Sequence, residues 1–195
     1  MKSCLVIEDV PEIRRWLCGL LQDIFQPEAL LRAGTLSESY RLIETHQPEL
    51  ILVDLSLPDG DGTELIRRVK RHSPSTLCVV ATIFDNATYL FPALRAGADG
   101  YLLKSDLEEH LISALQGIVD GKPPLSASVA LSILEHFQAP AELEADLTTR
   151  EEELLILIAN GYSVPRSAEC MGISANTAAG YLKTVYQKLQ VTNRA

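Results

Sequence analysis

Short runs of apolar residues with no polar alternation punctuate the amino-terminal part of the chain: Leu5-Val6-Ile7, Leu50-Ile51-Leu52-Val53, Leu77 to Ala81 and Tyr101-Leu102-Leu103. Runs of this length, rich in Val, Ile and Leu, predict strands covered on both faces, as in a parallel sheet. Each run stops at polar chemistry: Glu8-Asp9, Asp54, Thr82 and Lys104 respectively. Between the runs the apolar period changes to that of a helix. Ile13, Trp16, Leu17, Leu20, Leu21 and Ile24 line one face after Pro11, with Glu12, Arg14, Arg15 and Asp23 opposite. A strand is predicted over 28–32 and a helix over 37–46. Thr63 is placed as the cap of a helix carrying Leu65, Ile66 and Val69. A helix over 87–96 contains Pro92, which removes one rung of its hydrogen-bond ladder. Ser105 and Glu108 have capping-box spacing ahead of Leu107, Leu111, Ile112, Leu115 and Ile118. Alternation of this kind predicts an α/β fold, a doubly wound five-stranded parallel sheet.

Beyond Gly121 and two prolines the pattern is helical throughout. Ser126 to Phe137 is amphipathic, and 138–146, with Pro140 and few large side chains, reads as a linker. Thr148 and Glu151 form a second capping-box pattern before Leu154, Leu155 and Ile158, closed by Gly161. A short helix over 163–171, a turn at Gly172-Ile173-Ser174 and a longer helix reaching Leu189 give the spacing of a helix-turn-helix in a small all-α domain. The predicted organisation is a domain over 1–120, a helical linker over 121–146 and a helix-turn-helix domain over 147–195.

Charge sharpens this division. The whole chain carries −9, but residues 1–120 hold 11 Lys/Arg against 18 Asp/Glu, whereas residues 146–195 hold 5 against 5. An acidic body of this kind excludes a protein that coats nucleic acid non-specifically, and leaves the helical end as the candidate for anionic partners. Cys4, Cys18, Cys78 and Cys170 lack metal or disulfide spacing and are expected to be buried thiols of a reducing cytosol. No window has the length and apolarity of a membrane span, and a cytoplasmic protein with no membrane partner is expected.

In open α/β sheets ligands sit beyond the carboxyl ends of the strands, where this pattern gathers Glu8, Asp9, Asp54, Thr82 and Lys104. Clustered carboxylates bind a hard divalent ion such as Mg²⁺. Lys and Thr suit phosphoryl oxygens, and Asp54 suits the nucleophile that becomes an aspartyl phosphate. The stretches Val6-Ile7-Glu8-Asp9-Val10, Leu52 to Gly62, Val79-Val80-Ala81-Thr82 and Ala96 to Lys104 together resemble the receiver domain of bacterial response regulators. The resemblance implies a flavodoxin-like domain phosphorylated on Asp54 by a sensor histidine kinase. It also implies Mg²⁺ held by Glu8, Asp9, Asp54 and the Ser56 backbone carbonyl, and a switch in which Thr82 moves to the phosphoryl group and Tyr101 turns inward. It implies no enzyme, beyond Mg²⁺-dependent self-phosphorylation and dephosphorylation. Ile83 stands where receivers usually have a small residue, and is expected to crowd the phosphoryl site.

Leu147 to Leu155, Ile158 to Ser163 and Met171 to Thr177 resemble the LuxR-like helix-turn-helix of NarL/FixJ-type response regulators. This implies that the helix from Ala175 enters the major groove of promoter DNA, with Asn176, Thr177, Tyr181, Lys183 and Lys188 as contacts. It further implies a homodimer on phosphorylation and RNA polymerase downstream. The sequence departs from that family at Ala179, where a Lys is usual, at Gly180, and at Ser167, where a core Ile is usual. It also stops where the family continues into one more helix, so an output domain without that helix is expected. Ala179 and Gly180 raise an alternative, an adaptor whose helix-turn-helix binds protein.

Overall fold

The computed structural model describes residues 1–119, 121–122, 125–138 and 147–191. The first part runs β1 (Ser3–Ile7), α1 (Pro11–Phe25), β2 (Ala29–Ala33), α2 (Leu36–His46) and β3 (Leu50–Val53). A two-stranded ribbon follows, β4 (Ser56–Leu57) with β5 (Gly60–Asp61), and then α3 (Gly62–His72), β6 (Leu77–Thr82), α4 (Ala87–Ala96), β7 (Gly100–Leu103) and α5 (Glu108–Val119). The five long strands form one parallel sheet in the order β2-β1-β3-β6-β7. Alternate residues serve opposite faces, as the strand period requires. Cys4, Val6, Leu50, Leu52, Val79 and Leu102 pack toward Leu17 and Leu21 of α1 and Leu111 and Leu115 of α5. Leu5, Ile7, Ile51, Val53, Val80 and Tyr101 pack toward α3 and α4. Each buried Leu contributes about 1.5–3 kcal/mol, which is why unbroken apolar runs fix this layer arrangement.

Strand register places the polar residues. Ile7 pairs with Val53, Val53 with Val80, and Val80 with Tyr101. The ladder then continues one step past the strands: Glu8 N–H donates to Ala33 O (3.0 Å), Asp54 N–H to Ile7 O (2.9 Å) and Lys104 N–H to Thr82 O (2.8 Å). The backbones of the chemical residues are therefore tied to the sheet and do not belong to free loops. Gly62 closes the loop after Asp54. A Cβ there would stand 2.1 Å from the Asp54 carbonyl oxygen, so no larger residue fits.

The remaining helices are α6 (Ala127–Gln138), α7 (Thr149–Ala159), α8 (Val164–Cys170) and α9 (Ala175–Val191). The capping box of α7 forms as expected: Glu151 N–H donates to Thr148 Oγ1 (3.4 Å), and Thr148 N–H to Glu151 Oε2 (2.7 Å). Ser174 caps α9 through Thr177 N–H at 3.0 Å. The helical part is not a separate globule. The core that begins on the α3/α4 face of the sheet continues through Val129 and Ile133 of α6 into Leu154, Leu155, Leu182 and Tyr186. Leu125 forms an isolated bridge to Tyr101, and α9 packs against α4 as well as α7 and α8.

Several expectations need correction. Helix α3 is capped by Asp61, whose Oδ1 accepts from Thr63 N–H at 2.8 Å, because the β4–β5 ribbon brings that carboxylate to the helix start. Helix α5 begins at Glu108, so the Ser105 capping box does not form, and Leu107 is exposed. Glu108 instead accepts from Trp16 Nε1–H of α1 at 2.7 Å. Cys170 is exposed, while the other thiols are buried. Helix α4 runs through Pro92 without a break. The linker over 139–146 and the expectation about the terminal helix, which concerns residues after 191, lie outside the described residues.

Candidate functional site

The carboxylate of Asp54 lies at the bottom of a shallow acidic pocket, its residue only 7% exposed. Its Oδ1 accepts from Leu55 N–H and its Oδ2 from Lys104 Nζ, both at 2.8 Å. Lys104 also forms an ion pair with Glu8 Oε2, so one buried ammonium bridges the ends of β1 and β3. Removing one partner of such a buried arrangement typically costs about 3–5 kcal/mol, because the charge left behind is uncompensated. Burial pushes the Glu8 carboxyl above its ordinary range, a shift opposed by Lys104 and reinforced by Asp54. Arg14 of α1 fixes the turn that follows, donating to the Glu8 carbonyl oxygen at 2.5 Å.

Ligand oxygens of Glu8, Asp9 and Asp54 lie within 4.8 Å of one another, with Asp9 exposed to solvent. Three carboxylates against one ammonium leave two negative charges, which one divalent cation balances. Oxygen ligands of this type suit Mg²⁺, which keeps several waters. Ser56, two residues past Asp54, opens β4.

Thr82 is fully buried, and its Oγ1 accepts from Phe84 N–H at 3.5 Å. Tyr101 is fully buried too, already turned inward, and its hydroxyl donates to the Phe84 carbonyl oxygen at 2.8 Å. Thr82 and Tyr101 thus both grip one residue of the 83–86 loop. Burial, then the Asp54 carboxylate, pushes the Tyr101 phenol well above its ordinary value. Ile83, the residue expected to crowd the phosphoryl site, is 65% exposed, so its side chain is not packed into the buried end of the strands.

On α9, Asn176, Thr177 and Lys183 are exposed, while Tyr181 is half-buried against the core. Lys188 does not join them: its Nζ lies 2.6 Å from Glu151 Oε2, bound to the buried carboxylate of the α7 capping box. Ala178 and Ala179 are buried. Ala179 is one turn before Lys183 and two before Tyr186, which with Asp99 line a cavity between α9 and the β7 side of the sheet. The residue that replaces the expected Lys therefore occupies a covered position, where an ammonium would be desolvated at high cost. Gly180 is exposed, and a Cβ there meets nothing within 4 Å. Sequence reasoning missed Asp59, whose carboxylate accepts from Leu36 N–H (2.7 Å) and Ser37 N–H (2.9 Å) and tethers the loop after Asp54 to α2. Its position in a Pro-Asp-Gly turn was the available signal.

Residues 4–116 match the response regulator receiver domain, and residues 145–195 the luxR family of bacterial regulatory proteins. The uncharacterized transcriptional regulatory protein YhcZ of Bacillus subtilis is 33% identical over 171 residues, 86% of this chain and 79% of that one. The oxygen regulatory protein NreC of Staphylococcus carnosus is 31% identical over 166 residues, 80% and 76% of the two chains. Among solved structures, RcsB of Salmonella enterica serovar Typhimurium, bound to promoter rprA in the presence of the phosphomimetic BeF3−, superposes with a TM-score of 0.64. That match is 26% identical and covers 98% of this chain and 93% of that one. With the acidic pocket at one end and the helix-turn-helix at the other, the chain belongs to the response regulators of the NarL/FixJ type, a receiver domain joined to a LuxR-like helix-turn-helix.

Proposed function

We infer that Asp54 accepts a phosphoryl group from a phosphohistidine of a partner kinase and that this controls binding of promoter DNA by α9. The observation that carries the reading is the Asp54 carboxylate held by Lys104 at 2.8 Å within a triad of carboxylates at the strand ends. In the transfer, an Asp54 oxygen attacks phosphorus, the P–O bond forms, and the P–N bond breaks with its electron pair going to the donor imidazole. Glu8, Asp9, Asp54 and the Ser56 carbonyl would hold Mg²⁺, which neutralises charge on the transferring group. Lys104, already at the carboxylate, offers its remaining donors to the phosphoryl oxygens. The Thr82 hydroxyl gives up Phe84 N–H to reach the same group, which frees the 83–86 loop that Tyr101 also holds.

That loop abuts the output side. Asp85 O accepts from Ser132 Oγ of α6 at 3.3 Å, and the next helix, α4, packs against α9. Phosphorylation then loosens the covered side of α9, and the released domains dimerise on DNA. Asn176, Thr177, Tyr181 and Lys183 meet the duplex, and Lys188 serves the output fold through Glu151.

The test is selection of genomic fragments by the purified full-length protein with and without BeF3−. An enriched sequence in the presence of BeF3−, lost in Asp54→Asn, is the expected result. No enrichment at modest salt in either state would refute DNA recognition, and enrichment unaffected by Asp54→Asn would refute its control by phosphorylation.

A further inference from the structure

Two successive residues of the 83–86 loop are held by different parts of the molecule. Phe84 is held by the sheet, through Thr82 Oγ1 at its N–H and the Tyr101 hydroxyl at its carbonyl oxygen. Asp85 is held by α6, its carbonyl oxygen accepting from Ser132 Oγ at 3.3 Å. The start of α6 returns to the same strand: Leu125, two residues before the helix, forms a parallel bridge with Tyr101, and Ser126 Oγ accepts from Val129 N–H at 3.4 Å as the cap. Among the described residues, α6 is thus tied to the switch by backbone at its origin and by one hydroxyl near its middle. Its apolar stripe, Val129, Ala130, Ile133 and Leu134, is buried in the core that also holds Leu154 and Leu155 of α7 and Leu182 of α9. Spacing of this kind keeps the stripe on one face of the helix.

We propose that Ser132 is the positioning residue through which the switch loop holds the output helices: its bond to the Asp85 carbonyl keeps the middle of α6, and with it α7 and α9, docked while Asp54 is unmodified, and phosphorylation releases it. The inference deepens the reading of Asp54 as a phosphoacceptor and rests on it. The Asp85 carbonyl lies two peptide units beyond Phe84 N–H, so a loop that shifts when Thr82 leaves that N–H carries the carbonyl along. A hydroxyl–carbonyl bond of 3.3 Å is already longer than the usual range of about 2.5–3.0 Å, and a further displacement of about 0.5 Å ends it. The Leu125 bridge uses backbone and not the Tyr101 side chain, so α6 keeps its origin while its middle comes free. One neutral hydrogen bond at the weak end of its range shifts an equilibrium about two- to fivefold. Ser132 therefore carries a share of the coupling, and the α4–α9 contact carries another.

Hydrogen–deuterium exchange of the full-length protein, with and without BeF3− and Mg²⁺, tests this without a DNA target. In the parent, BeF3− should raise exchange of the α6 and α7 amides together with that of the 83–86 loop. Ser132→Ala should start with those helix amides exchanging about two- to fivefold faster and should respond to BeF3− by that much less, with phosphate uptake from a small-molecule donor unchanged. Loss of a merely structural bond would raise exchange equally in both states and leave the response intact. Ser132→Thr, which keeps the hydroxyl, should respond as the parent does. The inference is overturned if Ser132→Ala retains the full response, or if Ser132→Thr loses it as Ser132→Ala does. A parent whose 83–86 loop itself ignores BeF3− would refute the reading of Asp54, and this inference with it; a loop that responds while α6 and α7 do not would overturn this inference alone.

Discussion

The pocket around Asp54 draws its character from a shortage of positive charge. Among the described residues Lys104 is the cation paired with both Glu8 and Asp54, and Glu8 is a carboxyl pushed above its ordinary range by burial. A raised carboxyl contributes stability only below the pH at which it ionises in the fold, so ionised Glu8 is a cost that a bound divalent cation would relieve. Adding Mg²⁺ at neutral pH should therefore raise the melting temperature of the parent and do so less in Glu8→Gln, measured by calorimetry. Ile83 is largely exposed, so Ile83→Ala should take up and lose phosphate from a small-molecule donor at rates within about twofold of the parent, a change under about 0.5 kcal/mol in barrier. A large acceleration would mean that Ile83 turns inward in the reactive state. The sequence made the pocket legible because each acid or base ends an apolar run, and register does the rest. It did not make the exposure of Ile83 legible, since that depends on how the loop after Thr82 turns, with Phe84 gripped by both Thr82 and Tyr101 and stacked on Tyr89 at 4.0 Å.

Helix caps decide the output elements, and one of them is also an ion pair. Glu151 is buried, closes the α7 capping box and receives Lys188 at 2.6 Å. Burial works to raise its carboxyl, but the bonds from Lys188 and Thr148 outweigh this and hold it below the ordinary range. Stability from a depressed carboxyl is fully present above its unfolded value, about 4.3, and is lost as pH falls through the folded value. The stability difference between parent and Glu151→Gln should therefore shrink on acidification below about pH 4.3, measured by urea titration over that window. Glu151→Ala, which loses the cap as well, should cost about 2 kcal/mol or more at pH 7. Two positions run against the local preference of their helices. The Ser167 hydroxyl is buried without a hydrogen-bond partner, and Gly180 has open space where a Cβ would stand. Ser167→Ala and Gly180→Ala should each raise the urea midpoint, by about 1 kcal/mol of stability. The α7 box was readable from its spacing of Thr and Glu. The apparent box at Ser105 was not formed, because Asp106 and Leu107 continue the turn after Lys104 and α5 starts only at Glu108.

At the scale of the whole molecule, the receiver and the helix-turn-helix share one core, and this joins the two chemistries. The acidic half and the neutral half were separable in the sequence, but their contact was not, because it pairs α4 with α9 across the 78 residues between them. That contact also gives Ala179 a reason. Ala179 is buried on a helix that packs against α4, α7 and α8, so a small residue lets the helices approach, whereas a long side chain must either bury its polar end or displace what covers it. Ala179→Gln and Ala179→Lys should both open the contact and strengthen DNA binding by the unphosphorylated protein, by about tenfold or about 1.4 kcal/mol. The two differ in salt dependence: the Lys variant adds one phosphate contact and steepens the slope of log affinity against log salt by about 0.9, while the Gln variant leaves it unchanged. Filter binding or fluorescence anisotropy across a salt series separates these effects. If Ala179→Gln binds as weakly as the parent while Ala179→Lys gains only through its slope, the receiver does not restrain α9, and phosphorylation must act on dimerisation alone.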